Sequence, residues 1–375
     1  MRFLWNLASD DPATDISVEA RDCKRSRLRR SRCEKCVEVC PTDMIALDNG
    51  PRIMEGCVDC GLCIAACPTG AFRKSPDTDH HLVSLMQILR ARPKPTGTEG
   101  TLVIRCHFAQ RKRRHLITVS CLGVISEFSM VIAAALGFRE IRLLQGDCSR
   151  CRLRPGELLF DKSLDTTRML LNDLGLSKVL LRVDQKHRRD AVNRRQFLSG
   201  ITNRPRINSM PSLEHVEDLD RCSPQPDLVI NDEKNQPDKR RLLIDLLREK
   251  LTAAGRFAAP LWWWKLQIDA ARCSACGVCA LVCPRGAISE ERNSDHQLIR
   301  LDAARCTNCG LCIEACPDNA VTFGEPVHLS DCVDGKWEQL VKTQLHSCLV
   351  CGDTITSTST GRCTTCDRRQ ISLVC

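Results

Sequence analysis

One cysteine register constrains this chain more than anything else in it. The run C-x2-C-x2-C-x3-C-P occurs complete at Cys57, Cys60, Cys63, Cys67-Pro68, at Cys273, Cys276, Cys279, Cys283-Pro284, and at Cys306, Cys309, Cys312, Cys316-Pro317. A fourth copy is truncated to Cys33, Cys36, Cys40-Pro41. Such a run is a [4Fe–4S] ligand pattern. Thiolates two residues apart wrap one cubane, and the fourth cysteine, past a short turn ended by proline, faces a neighbouring one. Disulfides are the competing reading for 27 cysteines in 375 residues. A chain that opens MRFLWNLASDDPATD, with no apolar h-region and no small-residue cleavage site, argues against them and predicts a cytoplasmic protein. Arg194-Arg195-Gln196-Phe197-Leu198 imitates a twin-arginine signal, but it lies mid-chain with no apolar stretch after it.

Length and composition predict two to four domains and no membrane span. The formal charge is +9 with cysteines counted as neutral. Four cubanes with their thiolates, each carrying about −2, would offset about eight of those charges. The basic run Lys24–Arg32 (KRSRLRRSR) borders a predicted anionic cluster and reads as a solvated charge run or a surface for an acidic partner. Tyrosine is absent and other aromatics are few, so stacking platforms for nucleic acid are sparse and no nucleic-acid role is expected.

The peptides CVDCGLCIAACPTGAF, CSACGVCALVCPRGAI and CTNCGLCIEACPDNAV are internal repeats. Residues 20–75 and 255–325 each resemble bacterial-type two-cluster ferredoxins. Short strands are expected at 44–47, 52–54, 266–268 and 298–301. The resemblance implies crossed ligation. One cluster takes Cys273, Cys276, Cys279 and Cys316, and another takes Cys306, Cys309, Cys312 and Cys283. A third takes Cys57, Cys60, Cys63 and Cys40. The fourth has Cys33, Cys36 and Cys67, with Arg30 standing where the family has its first cysteine. Cys23, upstream on a basic loop, is the expected replacement; a three-iron or solvent-ligated cluster is the alternative.

Residues 100–185 alternate strand and helix, which predicts a parallel α/β sheet. Strands are expected at 101–105, 116–120, 140–144 and 178–183, and helices at 126–136 and 161–174, stopped by Gly137 and Gly175. Cys106, Cys121, Cys148 and Cys151 fall at the C-terminal ends of these strands, the edge where open parallel sheets place their sites. A further metal centre, iron–sulfur in preference to zinc, is expected there. Buried structural cysteines are the bland alternative. The segment is weakly similar to the iron–sulfur delta subunit of methyl-viologen-reducing hydrogenases, although its C-x14-C-x26-C-x2-C intervals are not that family's.

Residues 186–254 read as a polar linker with lone Cys222 and one amphipathic helix at 238–251. Trp262, Trp263 and Trp264 precede the third repeat and are expected to cover a cluster or anchor a partner. In the tail, 345–375, Cys348, Cys351, Cys363 and Cys366 form two CxxC knuckles that predict a zinc ribbon rather than rubredoxin-type iron. Cys332 and Cys375 receive no role.

The expected fold is therefore multidomain α+β and α/β. Two ferredoxin-like dicluster modules flank a parallel-sheet α/β domain, with a small zinc-ribbon-like tail. No Walker loop, dinucleotide fingerprint or catalytic set is present, and scattered histidines such as His80, His81 and His107 suggest none. The expected function is a multicluster iron–sulfur subunit relaying single electrons to or from a partner oxidoreductase. The partner would be a molybdopterin oxidoreductase, a hydrogenase or a heterodisulfide-reductase-type complex. Two other readings stand beside it: a ferredoxin-type accessory or assembly protein for a molybdoenzyme or hydrogenase, and a redox enzyme with a substrate or flavin site in the middle domain.

Overall fold

A computed structural model describes residues 14–74, 78–91, 100–109, 117–185, 260–293, 295–332, 336–352, 354–356, 361–362 and 366, with Ile244 and Arg248. The expected helix at 238–251, apart from those two residues, and Cys222, Cys363 and Cys375 lie outside them. Among the described residues no helix is long and apolar enough to cross a membrane.

The chain divides into two compact units. One comprises Met1–Cys23 and Glu34–Lys239, the other Lys24–Cys33 and Arg240–Cys375. The basic stretch Lys24–Cys33 groups with the second unit.

The first unit opens with β1 (Ile16–Val18), which pairs antiparallel with β4 (Phe72–Lys74). The stretch Lys24–Arg27 (α1) belongs to the other unit. Between β1 and β4 lie α2 (Lys35–Glu38), the antiparallel pair β2 (Ile45–Ala46) and β3 (Arg52–Ile53), and α3 (Leu62–Ala66). The β1–β4 pair was not expected from sequence. Its three-residue strands are too short for an alternation to register. Helix α4 (Thr78–Ala91) then leads to the middle domain.

That domain is a four-stranded parallel sheet of β5 (Thr101–Cys106), β6 (Ile117–Val119), β7 (Glu140–Gln145) and β8 (Leu180–Gln185) in the order β6-β5-β7-β8. Helix α5 (Glu127–Ala135) links β6 to β7, and α6 (Pro155–Asp173) links β7 to β8. Helix α6 starts six residues before the expected boundary at 161, because Pro155 at its first turn is pre-set for the helix. Gly137 and Gly175 take left-handed φ values of 90° and 66°, ending the two helices where expected. The buried core takes in Leu102, Ile104 and Ile141 of the sheet with Met130, Phe138 and Phe160. It also takes in Leu62 and Cys60, so the first ferredoxin-like module and the sheet share one core.

In the second unit β9 (Pro260–Ile268) pairs with β12 (Val321–His328), and α7 (Val278–Val282) and α8 (Leu311–Ala315) sit inside the pair in sequence. Strands β10 (Ile288–Arg292), β11 (His296–Leu301), β13 (Glu338–Ser347) and β14 (Thr354–Thr356) form a second antiparallel sheet. Strand β13 bridges two expected domains: it extends the module's sheet through β11 and forms the tail's hairpin with β14. Trp263 is buried and Trp264 half exposed on β9, and Asn308 Nδ2 donates to the Trp264 carbonyl at 3.0 Å.

Candidate metal centres

The repeated register produces a repeated backbone. In every copy the residue three after the Cys-Pro cysteine is left-handed: Asp43 at φ 56°, Gly70 at 69°, Gly286 at 58° and Asn319 at 50°. The chain then turns back, and the next amide donates to that cysteine's sulfur. Met44 N to Cys40 Sγ, Ala71 N to Cys67 Sγ, Ala287 N to Cys283 Sγ and Ala320 N to Cys316 Sγ all measure 3.3 Å. The three complete copies add a second turn at Asp59, Ala275 and Asn308 and a third at Gly61, Gly277 and Gly310, again left-handed. Alternating right- and left-handed residues point consecutive N–H groups into one concavity, which suits an anion such as a thiolate-ligated cluster. This left-handed ladder is the part of the site that reading the cysteines alone misses. Its signal was the Gly, Asn or Asp at fixed offsets.

The crossed sets are brought together. Cys283, Cys306, Cys309 and Cys312 line one recess of about 350 Å³ of open space. Burial, reinforced by neighbouring sulfurs, raises the buried thiols. Cys279 is pushed up to about 12 by burial, with Cys273, Cys276 and Cys316 adding to it. Cys312 rises for the same reasons, beside Cys306, Cys309 and Cys283. Cys63 rises by burial and beside Cys60, Cys57 and Cys40. Neutral thiols are what burial favours without metal; a cationic iron core reverses the balance and displaces their protons.

For the incomplete set, Cys23 and Cys67 pack against the small core that contains buried Cys36. Cys33 ends the stretch Lys24–Cys33 that groups with the second unit. Arg30, in the family's cysteine position, donates a guanidinium N–H to the Glu314 carbonyl.

The middle domain gathers its four cysteines as well. Cys106, Cys121, Cys148 and Cys151 line a recess of about 360 Å³ at the C-terminal edge of the sheet. Strand order β6-β5-β7 makes the β5/β7 boundary the topological switch point, where such sheets bind ligands. Each sulfur accepts one N–H: Cys106 from Gly146 N at 3.2 Å, Cys121 from Gly123 N at 3.4 Å, Cys151 from Leu153 N at 3.4 Å, and Cys148 from Gln145 Nε2 at 3.2 Å. Burial pushes the Cys121 thiol up to about 12 and raises Cys148 and Cys151. Ser120 Oγ donates to the Cys60 carbonyl at 2.8 Å, which joins this edge to the first module's cluster loop. Gly156 fits between: a Cβ there would stand 2.5 Å from Cys121 Sγ and 2.9 Å from Leu62 Cδ2.

In the tail, Cys348, Cys351 and Cys366 bring their sulfurs within 4.8 Å of one another, as the described residues do nowhere else with three such ligands. Four sulfurs around one zinc stand about 3.8 Å apart, so this spacing suits a mononuclear ion. The Cys348 knuckle closes with Gly352 N on the Cys348 carbonyl at 2.9 Å, with Gly352 at φ 76°.

Residues 265–334 and 31–72 each match the family of 4Fe-4S dicluster domains. Two segments of this chain are 4Fe–4S dicluster ferredoxin domains. An uncharacterized ferredoxin of Methanocaldococcus jannaschii is 37% identical over 65 residues, which is 16% of this chain. The chain spans 43% of that ferredoxin's length. The ferredoxin domains point to iron–sulfur electron transfer and to metal binding. The middle domain and the tail stand outside both family matches.

Proposed function

We propose that this chain is a multicluster electron-transfer subunit that relays single electrons to or from a partner oxidoreductase. Four [4Fe–4S] clusters would be held by Cys273, Cys276, Cys279 and Cys316; by Cys283, Cys306, Cys309 and Cys312; by Cys40, Cys57, Cys60 and Cys63; and by Cys33, Cys36 and Cys67 with Cys23. The observation that carries this is the sulfur-binding turn, repeated with one geometry at Cys40, Cys67, Cys283 and Cys316. Bound clusters supply reversible one-electron chemistry. The protein's residues keep water away and place N–H groups on sulfur, which sets the potential.

The middle recess is read as a further iron–sulfur centre, with Cys106, Cys121, Cys148 and Cys151 as ligands. Its one N–H per sulfur and its size, close to that of the ferredoxin recess, favour this over structural cysteines. The Ser120–Cys60 hydrogen bond supports reading it in line with the first module, as one wire. The tail is read as a zinc site of Cys348, Cys351, Cys363 and Cys366. The partner is expected to be a molybdopterin oxidoreductase, a hydrogenase or a heterodisulfide-reductase-type complex, met in the cytoplasm.

Anaerobic purification with iron, sulfide and zinc analysis tests the reading. About sixteen irons are expected from four cubanes, two to four more from the middle centre, and one zinc. The Cys106→Ser, Cys148→Ser double variant should lose only the extra irons. A colourless preparation without acid-labile sulfide overturns the proposal.

A second reading has one observation in its favour. The β6-β5-β7-β8 order is the one in which flavodoxin-like sheets hold flavin at this edge. Flavin released on acid denaturation, with turnover in the absence of a partner, would decide for an enzyme. A transient complex with an apo-enzyme would decide for an assembly role.

A further inference from the structure

The basic run Lys24–Arg32 exposes Arg29, Arg30 and Arg32 but buries Lys24. Leu28 packs against the small core of Val282, Leu311 and Ala315. Arg30 donates to the carbonyl of Glu314, and Arg27 Nη1 reaches the carbonyl of Leu281 at 3.4 Å. Both carbonyls belong to the last turns of the cluster-bearing helices α8 and α7, the negative ends that cations stabilise. Lys24 goes deepest. It is 7% exposed, its ammonium donates to the Cys309 backbone carbonyl at 2.8 Å, and it pairs with the Glu314 carboxylate. Glu314 remains open to solvent, with 42% of its side chain accessible. The positive member of the pair is therefore shielded beside a ligand cysteine while the negative member is screened by water.

We propose that Lys24 raises the reduction potential of the cluster held by Cys283, Cys306, Cys309 and Cys312, and that the strap Lys24–Arg30 exists to hold that ammonium in place. Reduction adds one negative charge to a cluster and ligand set that is already anionic. A fixed cation nearby favours the reduced form, and in a buried setting the interaction is weakly screened. Two arginines on helix C-termini and one leucine in an apolar seat keep the lysine from swinging out to water, which an unanchored lysine would do.

The test is an EPR-monitored reductive titration of the anaerobically prepared full chain. Each cluster takes one electron from dithionite, which is oxidised to sulfite. The relevant step is identified as the one that Cys309→Ser displaces or abolishes. Lys24→Met should move that step to lower potential and leave the others in place, and Lys24→Arg should restore it. Glu314→Gln, which removes the opposing charge and keeps the shape, should move the same step upward. A role confined to packing predicts no shift, or shifts of one sign in both variants. An unmoved step in Lys24→Met with full iron content overturns the proposal. Where Lys24→Met fails to load iron, Lys24→Gln, which keeps a donor for the Cys309 carbonyl without the charge, decides: a lowered step supports the proposal, and an unmoved or raised step sinks it.

Discussion

Gly156 occupies a point where no side chain fits. A methyl group there meets Cys121 Sγ and Leu62 at once. Gly156→Ala should therefore push Cys121 out of register, remove the middle centre's irons, and cost about 1–3 kcal/mol by overpacking. Iron analysis with anaerobic thermal melting checks this; full iron at an unchanged midpoint would show that Cys121 is not held as described. Cys23 gives a second residue-scale expectation. Cys23→Ala should convert one four-iron EPR signal to a three-iron signal, and an unchanged spectrum would remove Cys23 from the ligand set. The candidate ligand cysteines were legible in the sequence because the repeated register marks them, Cys23 apart. The fit at Gly156 was not, because it joins α6 to Leu62 of α3 and to Cys121 past β6, segments far apart in the chain.

At the scale of elements, helix α5 rests on a buried cap. Ser126 Oγ accepts from Ser129 N at 3.3 Å and donates to Asp79 Oδ1 at 2.9 Å. Ser126→Ala should cost about 1 kcal/mol or somewhat more, seen as a lowered denaturation midpoint. In the second unit, Lys265 on β9 pairs with Asp331 at 3.0 Å and with Glu338 on β13 at 3.3 Å. Burial alone would raise Asp331, but the His328 amide and the Lys265 ammonium outweigh it and hold the carboxyl below its usual range. A lowered carboxylate pKa means stability that is present above pH 3.8 and lost as pH falls through the folded value. Asp331→Asn should flatten the acid limb of the stability curve near pH 4 and below, read by tryptophan fluorescence; an unchanged limb would show that the pair carries no linkage. The four middle strands were legible from their apolar alternation and turn residues. Strand β13 was not, because a strand shared by two sheets carries no local mark of its second partner.

For the molecule as a whole, the first ferredoxin-like module has little core of its own beyond what it shares with the sheet. The first module's buried cluster is Ile16, Cys36, Ile45, Cys63, Ala71 and Phe72, of which two are proposed ligands. The middle sheet buries a much longer apolar set. Chelator-treated protein should therefore melt in two stages. The cluster modules should be already loose at ambient temperature, and the parallel sheet should hold its helical circular dichroism. A single cooperative transition with native signal before it would contradict that division.

The amino-acid order by itself marked the cysteines proposed to meet metal, since their spacing is a local property and each repeat carries its own turns. Only the tertiary structure decided what stands beside those atoms. The sheet order that puts four thiols at a switch point, the glycine that lets Cys121 approach Leu62, and the lysine set against Cys309 all depend on contacts between residues far apart in the chain. No local pattern records such contacts, because burial and electrostatic environment come into being when the segments pack.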